Sequence, residues 1–188
     1  RHINKEYLKT EYTCGASTNL NWVIDNGVLI VDGPITSTPW SSYKEEITSL
    51  KMLSRVTSIN NGAFRNYSNL TGNLIIPDNI TSIGDRAFMS CSNLIGKLTI
   101  GKNVTTIGQY AFKDCSKLTG DIIIPDSVIT IGVEAFNRCG NMDGRLIIGK
   151  NVETIGDYAF VGCSKLTGDI IIPDSVITIG QYAFANCS

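Results

Sequence analysis

Beyond residue 50 the apolar positions of this chain fall into columns with a strict period of 24 and no insertion or deletion. The Ala-Phe pair recurs at Ala63-Phe64, Ala87-Phe88, Ala111-Phe112, Ala135-Phe136, Ala159-Phe160 and Ala183-Phe184. Ile59, Ile83, Ile107, Ile131, Ile155 and Ile179 form a second column, and Val56, Ile80, Val104, Val128, Val152 and Val176 a third. Glycine keeps the same register at Gly72, Gly96, Gly120, Gly144 and Gly168, and again at Gly84, Gly108, Gly132, Gly156 and Gly180. Such self-similarity is the signature of a solenoid, in which each repeat is one coil that buries its apolar face only against its neighbours.

One repeat reads as one coil. Ile122-Ile123-Ile124 is short and β-branched, and Gly120 and Pro125 bound it, so it is the expected strand. Strand side chains alternate, which turns Ile122 and Ile124 inward and Ile123 outward. Val128 and Ile131 fill the next side, Gly132 is expected to allow a tight turn, and Ala135, Phe136 and Cys139 pack a corner.

The N-terminal part breaks the period. Asn26-Gly27 stands between apolar runs at residues 22–24 and 28–31, which predicts a hairpin. Residues 11–49 are expected to cap the stack, 1–10 to be a linker or disordered, and 50–188 to form the solenoid. Ser41 to Ile47 fits a short helical turn, and Leu50 and Met52 begin a degenerate first coil. The chain stops at Ser188, just after Cys187, so the expectation is either a fragment of a longer solenoid or an open end covered by self-association with a second copy.

Charge and chemistry narrow the function. Sixteen basic against seventeen acidic residues leave no excess for a nucleic-acid face, and no apolar run is long enough for membrane insertion. The only histidine is His2, so Cys–His and Ser–His–Asp catalysis lack a base in the body of the chain. Asp78, Asp126 and Asp174 recur in every second coil with Lys102 and Lys150 between them, an arrangement that makes a carbohydrate-active enzyme remote. No metal or cofactor is expected. Cys91, Cys115, Cys139, Cys163 and Cys187 share one column, where parallel side chains make poor disulfide geometry, so they are expected to be reduced and buried, with Cys14 unpaired in the cap. Two columns alternate in sign, Asp78-Lys102-Asp126-Lys150-Asp174 and Asn73-Lys97-Asp121-Arg145-Asp169, and read as stacking ladders that fix register.

The pattern Ala-Phe-x-x-Cys-Ser-x-Leu, followed by Ile-x-Ile-Pro-x-x-Val-x-x-Ile-Gly, resembles the BspA-like (Treponema-type) leucine-rich-repeat family over residues 50–188. Cys14-Gly15, Leu20, Trp22, Gly27, Leu29, Ile30, Gly33 and Trp40 are similar to that family's cap. The period of 24 also lies within the roughly 20–29 residues of leucine-rich repeats. One departure is an extra residue between Leu118 and Ile122, repeated in every coil. The resemblance implies a β-rich, right-handed superhelix of 24-residue coils with a parallel sheet and an N-terminal β-hairpin cap. It also implies a secreted or cell-surface protein of a bacterium or parasitic protist that adheres to a host or cell-surface protein or glycoprotein. A structural stalk carrying another domain is the alternative.

Two rows are candidate partner-binding sites. Ile75, Thr99, Ile123, Ile147 and Ile171 occupy the outward strand position; four isoleucines there form an apolar patch unless another part of the chain covers them. Arg86, Tyr110, Tyr158 and Tyr182, with Glu134 in the same column, supply residue types enriched at interfaces, though tyrosine also packs as a half-buried edge.

Overall fold

The computed structural model describes residues 20–187. His2, Cys14, the 1–10 segment and the first part of the expected cap lie outside the described residues. Strands β1 (Asn21–Asp25) and β2 (Val28–Asp32) form the expected hairpin. Its two turn residues, Asn26 and Gly27, both have positive φ, 47° and 80°, as a two-residue turn between twisted strands requires. A 3₁₀ helix spans Ser41–Glu46. Strand β3 (Ser49–Met52) then runs parallel to β2, with Leu29 opposite Leu50 and Val31 opposite Met52, so a backbone ladder ties the degenerate first coil to the hairpin. Buried Asp32 locks that junction: its carboxylate accepts the Arg55 backbone N–H at 3.1 Å and pairs with the Arg55 guanidinium at 2.7 Å.

Six coils follow in register: 49–72, 73–96, 97–120, 121–144, 145–168 and 169–187. The continuous sheet is not made by the Ile-x-Ile segments. It is made one side later, by β4 (Ser58–Ile59), β6 (Ser82–Ile83), β8 (Thr106–Ile107), β10 (Thr130–Ile131), β12 (Thr154–Ile155) and β13 (Thr178–Ile179), which stack as one six-stranded parallel ladder. The Ile-x-Ile side carries only two separate pairs, β5 (Leu74–Ile76) with β7 (Leu98–Ile100) and β9 (Ile122–Ile123) with β11 (Leu146–Ile147).

The interruption follows from what comes after each strand. Coils alternate between Ile-Pro-Asp and Ile-Gly-Lys. Pro125 has no N–H, so the fourth coil cannot donate from that point back to the third. Each ladder forms where a glycine coil follows a proline coil. The glycine is needed there, because a Cβ on Gly101 would stand 2.4 Å from the Pro77 carbonyl oxygen, and one on Gly149 2.3 Å from that of Pro125. The structural unit is therefore a pair of coils of unlike backbone.

The recurring glycines next to the six-stranded sheet also act differently from the expected turn. Gly132 is not among the glycines of positive φ. Its absent side chain admits the preceding coil, since a Cβ would sit 2.6 Å from the backbone nitrogen of Gln109.

The third side of each coil is bonded through alternate residues. Arg86, Phe88 and Ser90 donate their backbone N–H groups to the carbonyls of Gln109, Ala111 and Lys113 in the next coil, each at 2.8 Å. Arg86 and Ser90 have φ near +60°, as do Tyr110, Asp114, Glu134, Arg138, Tyr158 and Tyr182. Left-handed backbone is unfavourable for such residues by roughly 1 kcal/mol or more each. Coil-to-coil hydrogen bonds from their N–H groups hold all of them there except Tyr182, which has no described coil beyond it.

The core is a stack of rings. Phe64, Phe88, Phe112, Phe136 and Phe160 are fully buried, with successive centroids 5.2–5.6 Å apart and planes within 20°. Trp40 stands one period before Phe64 and continues the stack at 6.0 Å, closed off by the edge of Trp22 at 6.2 Å. The cap is thus the first ring of the same column.

Candidate binding faces

The outward position of the Ile-x-Ile side is open to solvent. Ile75, Ile123, Ile147 and Ile171 are 60, 50, 44 and 68% exposed, and Thr99 is exposed between them. Among the described residues none covers the stripe. Leu146 and Ile148 beside Ile147 are buried, as alternation requires. Between the fifth and sixth coils the stripe opens into a shallow groove of about 170 Å³, with Ile147, Ile171 and Pro173 in its lining and Arg145, Lys150 and Asp169 at its rim.

Both charge columns flank this stripe, and their bonding differs from the expected side-chain ladder. Asp78 Oδ1 accepts the Lys102 backbone N–H and Asp126 Oδ1 that of Lys150, both at 3.0 Å. Asn73 and Asp121 do the same for Lys97 and Arg145, at 2.9 and 2.7 Å. In these columns one ion pair forms, Lys150 to Asp126 at 3.9 Å with both side chains largely in water, and such pairs contribute little. The acidic member therefore fixes register through the backbone of the next coil, while the basic side chains project outward. A third column of such rungs, absent from the sequence reading, runs from Asn61 Oδ1 to the Asp85 N–H, from Asp85 to Gln109 and from Asp157 to Gln181, at 2.8–2.9 Å. Asparagine amides act in a similar way: those of Asn79 and Asn103 donate to carbonyls of the preceding coil.

The tyrosine row falls into two groups of contacting side chains. The Arg86 guanidinium lies 4.7 Å from the centre of the Tyr110 ring, and the Lys113 ammonium 5.3 Å from it. Lys113 pairs with Glu134, whose carboxylate also accepts a hydrogen bond from the Asn137 amide at 2.8 Å. Partial burial acts to raise the Glu134 pKa, but the hydrogen bonds from Lys113 and Asn137 outweigh it and hold the group below its ordinary value. Tyr158 and Tyr182 stack at 5.4 Å. Their ring faces are thus turned on each other or on cations of the same chain, and Tyr110 and Tyr158 are only half exposed.

A further face is hydroxyl-lined. Thr106, Thr130 and Thr154 stand on the six-stranded sheet beside Gly108, Gly132 and Gly156, along an open groove of about 330 Å³. The Ser/Thr column at residues 58, 82, 106, 130, 154 and 178 was the available signal for it.

The cysteine column is internal. Cys91, Cys115, Cys139 and Cys163 are buried and free; Cys187 is free but only half-buried, because no described coil stacks over it. Each thiol points at the carbonyl of the phenylalanine 27 residues before it, as Cys115 does at Phe88, at 3.2 Å. Burial pushes the Cys91 and Cys163 thiols up to about 12 and Cys187 to about 11, and holds Cys115 and Cys139 well above 9.0. These thiols keep their protons in the folded chain when the unfolded chain has lost them. The stability they contribute is whole below pH 9 and is lost as pH rises from about 9 to about 12. The expected result is a melting temperature that declines across that window. In native protein at neutral pH a thiolate-directed reagent should leave Cys91 to Cys163 untouched, and should modify all five column cysteines after denaturation. Early labelling of any of the four buried thiols would refute this placement.

Among the described residues no helix is long and apolar enough to cross a membrane, and no cluster of histidine, cysteine and carboxylate groups could hold a metal ion.

Comparison with known proteins agrees with this architecture. A leucine-rich repeat protein of T. pallidum superposes with a TM-score of 0.56 at 19% identity, over 92% of this chain and 88% of that one. A leucine-rich cell surface protein from Faecalibacterium prausnitzii A2-165 superposes with a TM-score of 0.53 at 21% identity; it covers 92% of this chain, which spans about half, 52%, of that longer chain. At these identities the likeness establishes the fold. No curated protein matches the chain in sequence. The family model described as BspA type leucine-rich repeat region matches residues 40–167 and 144–188, in six copies. Period, parallel coils and matched repeats agree, and the chain belongs to the BspA-type leucine-rich repeat family.

Proposed function

We propose that this protein is an extracellular adhesion module, secreted or displayed at a cell surface, which binds a macromolecule of a host or neighbouring cell through the stripe Ile75, Thr99, Ile123, Ile147 and Ile171. The observation that carries this reading is the exposure of four isoleucines in one row, a position with no packing duty in its own coil. Contiguous apolar surface rimmed by charge is a mark of interaction sites. The stripe stands on backbone held by rungs and ladders, which limits the ordering cost of binding. The description of the F. prausnitzii relative as a cell surface protein supports the location.

The test is the double variant Ile123→Thr, Ile147→Thr, with Thr99 as precedent for threonine at this position. The expected outcome is an unchanged melting temperature together with lost attachment to host matrix or cells. Unchanged attachment would reject the stripe and transfer the assignment to Arg86, Tyr110, Tyr158 and Tyr182. A stiff stalk is the second reading, favoured by the unbroken ring stack and rungs; it requires that neither row affects attachment.

A further inference from the structure

The charges beside the isoleucine stripe carry an inference that rests on that stripe being a binding site and names its occupant. Both flanking columns change sign together, coil by coil. The third coil offers Lys97 and Lys102, the fourth Asp121 and Asp126, the fifth Arg145 and Lys150, and the sixth Asp169 and Asp174. All eight residues are exposed. A surface striped in this way is complementary to itself when one copy is reversed and offset by an odd number of coils.

We propose that the stripe binds a second copy of this chain, antiparallel, about a twofold axis that lies between the two faces and runs along the strand direction, at the boundary of the fourth and fifth coils. Such an axis reverses coil order and leaves each flanking column facing its own equivalent. The third coil then meets the partner's sixth, and the fourth meets the partner's fifth. Lys97 comes opposite Asp169, Lys102 opposite Asp174, Asp121 opposite Arg145 and Asp126 opposite Lys150, each pair occurring twice. Ile123 meets Ile147 and Thr99 meets Ile171, over the groove between the fifth and sixth coils.

Neighbouring alternatives fare worse on the same charges. Parallel copies, or an axis through the centre of a coil, set like charge against like, which costs affinity. An axis between the third and fourth coils sets the neutral Asn73 opposite Arg145 and forfeits two of the eight opposite-charge contacts. Asp121 accepts its backbone N–H through Oδ1 and keeps the second oxygen for the partner, while Asp126 and Lys150, both largely in water, exchange their 3.9 Å contact within one chain for the partner's.

The contact is small. Four coils at about 4.8 Å by a strand side of about 20 Å give roughly 400 Å² per copy, below the roughly 800 Å² per partner of a stable complex. The pair is therefore weak and reversible in solution. It becomes strong when many copies on two facing surfaces engage together, and antiparallel packing suits molecules that project from opposite sides. The stripe is thus a copy-to-copy adhesive.

The experiment is analytical ultracentrifugation over a wide concentration range, with two charge-reversed variants. Lys97→Glu with Lys102→Glu, and Asp169→Lys with Asp174→Lys, leave untouched every backbone rung seen in the described residues. Wild type is expected to dimerise reversibly in the upper micromolar range. Each variant alone is expected to associate at least about tenfold more weakly. An equimolar mixture of the two is expected to recover the dimer, since the new carboxylates of one variant would then face the new ammonium groups of the other. Ile123→Thr with Ile147→Thr changes no charge and should also be monomeric, which covers a reversed variant that fails to melt like wild type. A wild type that stays monomeric throughout overturns the proposal, as does a dimer that survives in both variants or a mixture of folded variants that fails to associate. If wild type is monomeric while Ile123→Thr with Ile147→Thr still abolishes attachment, the occupant is a different molecule and the binding role of the stripe stands. If attachment is also unaffected, both readings fall.

Discussion

Replacing Phe112 by alanine is expected to lower the stability of the chain by about 3–5 kcal/mol, the range for truncating a fully buried aromatic side chain. Phe112 is fully buried and lies between Phe88 at 5.6 Å and Phe136 at 5.2 Å. Its loss opens a void in the middle of the ring column. Neighbouring coils cannot close that void without drawing together, and their separation is fixed by the ladder on one side and by the N–H rungs on the others. Because coils stabilise one another only through nearest neighbours, the damage should divide the stack into two weaker halves. The same truncation at Phe184 is the control. Its ring is stacked on Phe160 at 5.5 Å but is only half-buried, so the loss there should be less than half as large. Urea unfolding monitored by circular dichroism reads both values. Equal losses at the two positions would mean that the rings do not form one continuous column.

The second large effect is expected from the smallest change, Gly132→Ala. A methyl group at that position falls 2.6 Å from the backbone nitrogen of Gln109 and 2.6 Å from the carbonyl carbon of Gly108. Those atoms belong to the preceding coil and cannot rotate away as a side-chain end can, so the fourth coil must move off the third. The cost is about 3 kcal/mol, the upper part of the range for overpacking, and it should appear as weakened amide protection at the Thr130–Ile131 strand and its neighbours. Gly120→Ala supplies the contrast. Gly120 has φ +81°, and the nearest atom to an added Cβ is the Lys97 stem at 3.5 Å. There only the conformational term applies, about 1 kcal/mol. If Gly120→Ala proved the more harmful, the glycines beside the sheet would be turn residues after all.

This contrast marks where the sequence was sufficient. The period of 24, the buried columns, the hairpin turn at Asn26-Gly27 and the outward place of Ile75, Ile123, Ile147 and Ile171 were all legible, because each rests on short-range alternation or on strict repetition. The alternation of Pro-Asp and Gly-Lys was legible too, but only as a pattern of charge. That it splits the Ile-x-Ile side into pairs depends on whether residue 125 can donate a hydrogen bond to the preceding coil, and that contact exists only after stacking.

The same reason hid the remaining features. The residues at 66, 90, 114, 138, 162 and 186 include Asn, Asp and Gly, types that tolerate left-handed backbone, so that column carried a local signal. The column of Arg86, Tyr110, Glu134, Tyr158 and Tyr182 carried almost none, with Gly62 as its one hint. The next coil accepts the N–H groups of Arg86, Tyr110, Glu134 and Tyr158, and Tyr182 has the same sign of φ, 54°, with no described coil beyond it; a positive φ is no preference of arginine or tyrosine. The role of Trp40 as the first ring of the phenylalanine column was likewise decided by the fold, although its place one full period before Phe64 stood in the sequence. By itself the sequence determined that the chain coils, how often, and which side chains face in. Only the tertiary structure decided which side becomes the continuous sheet, because that depends on backbone donors and carbonyls meeting across coils, and one-dimensional periodicity leaves the three sides of a coil equivalent in that respect.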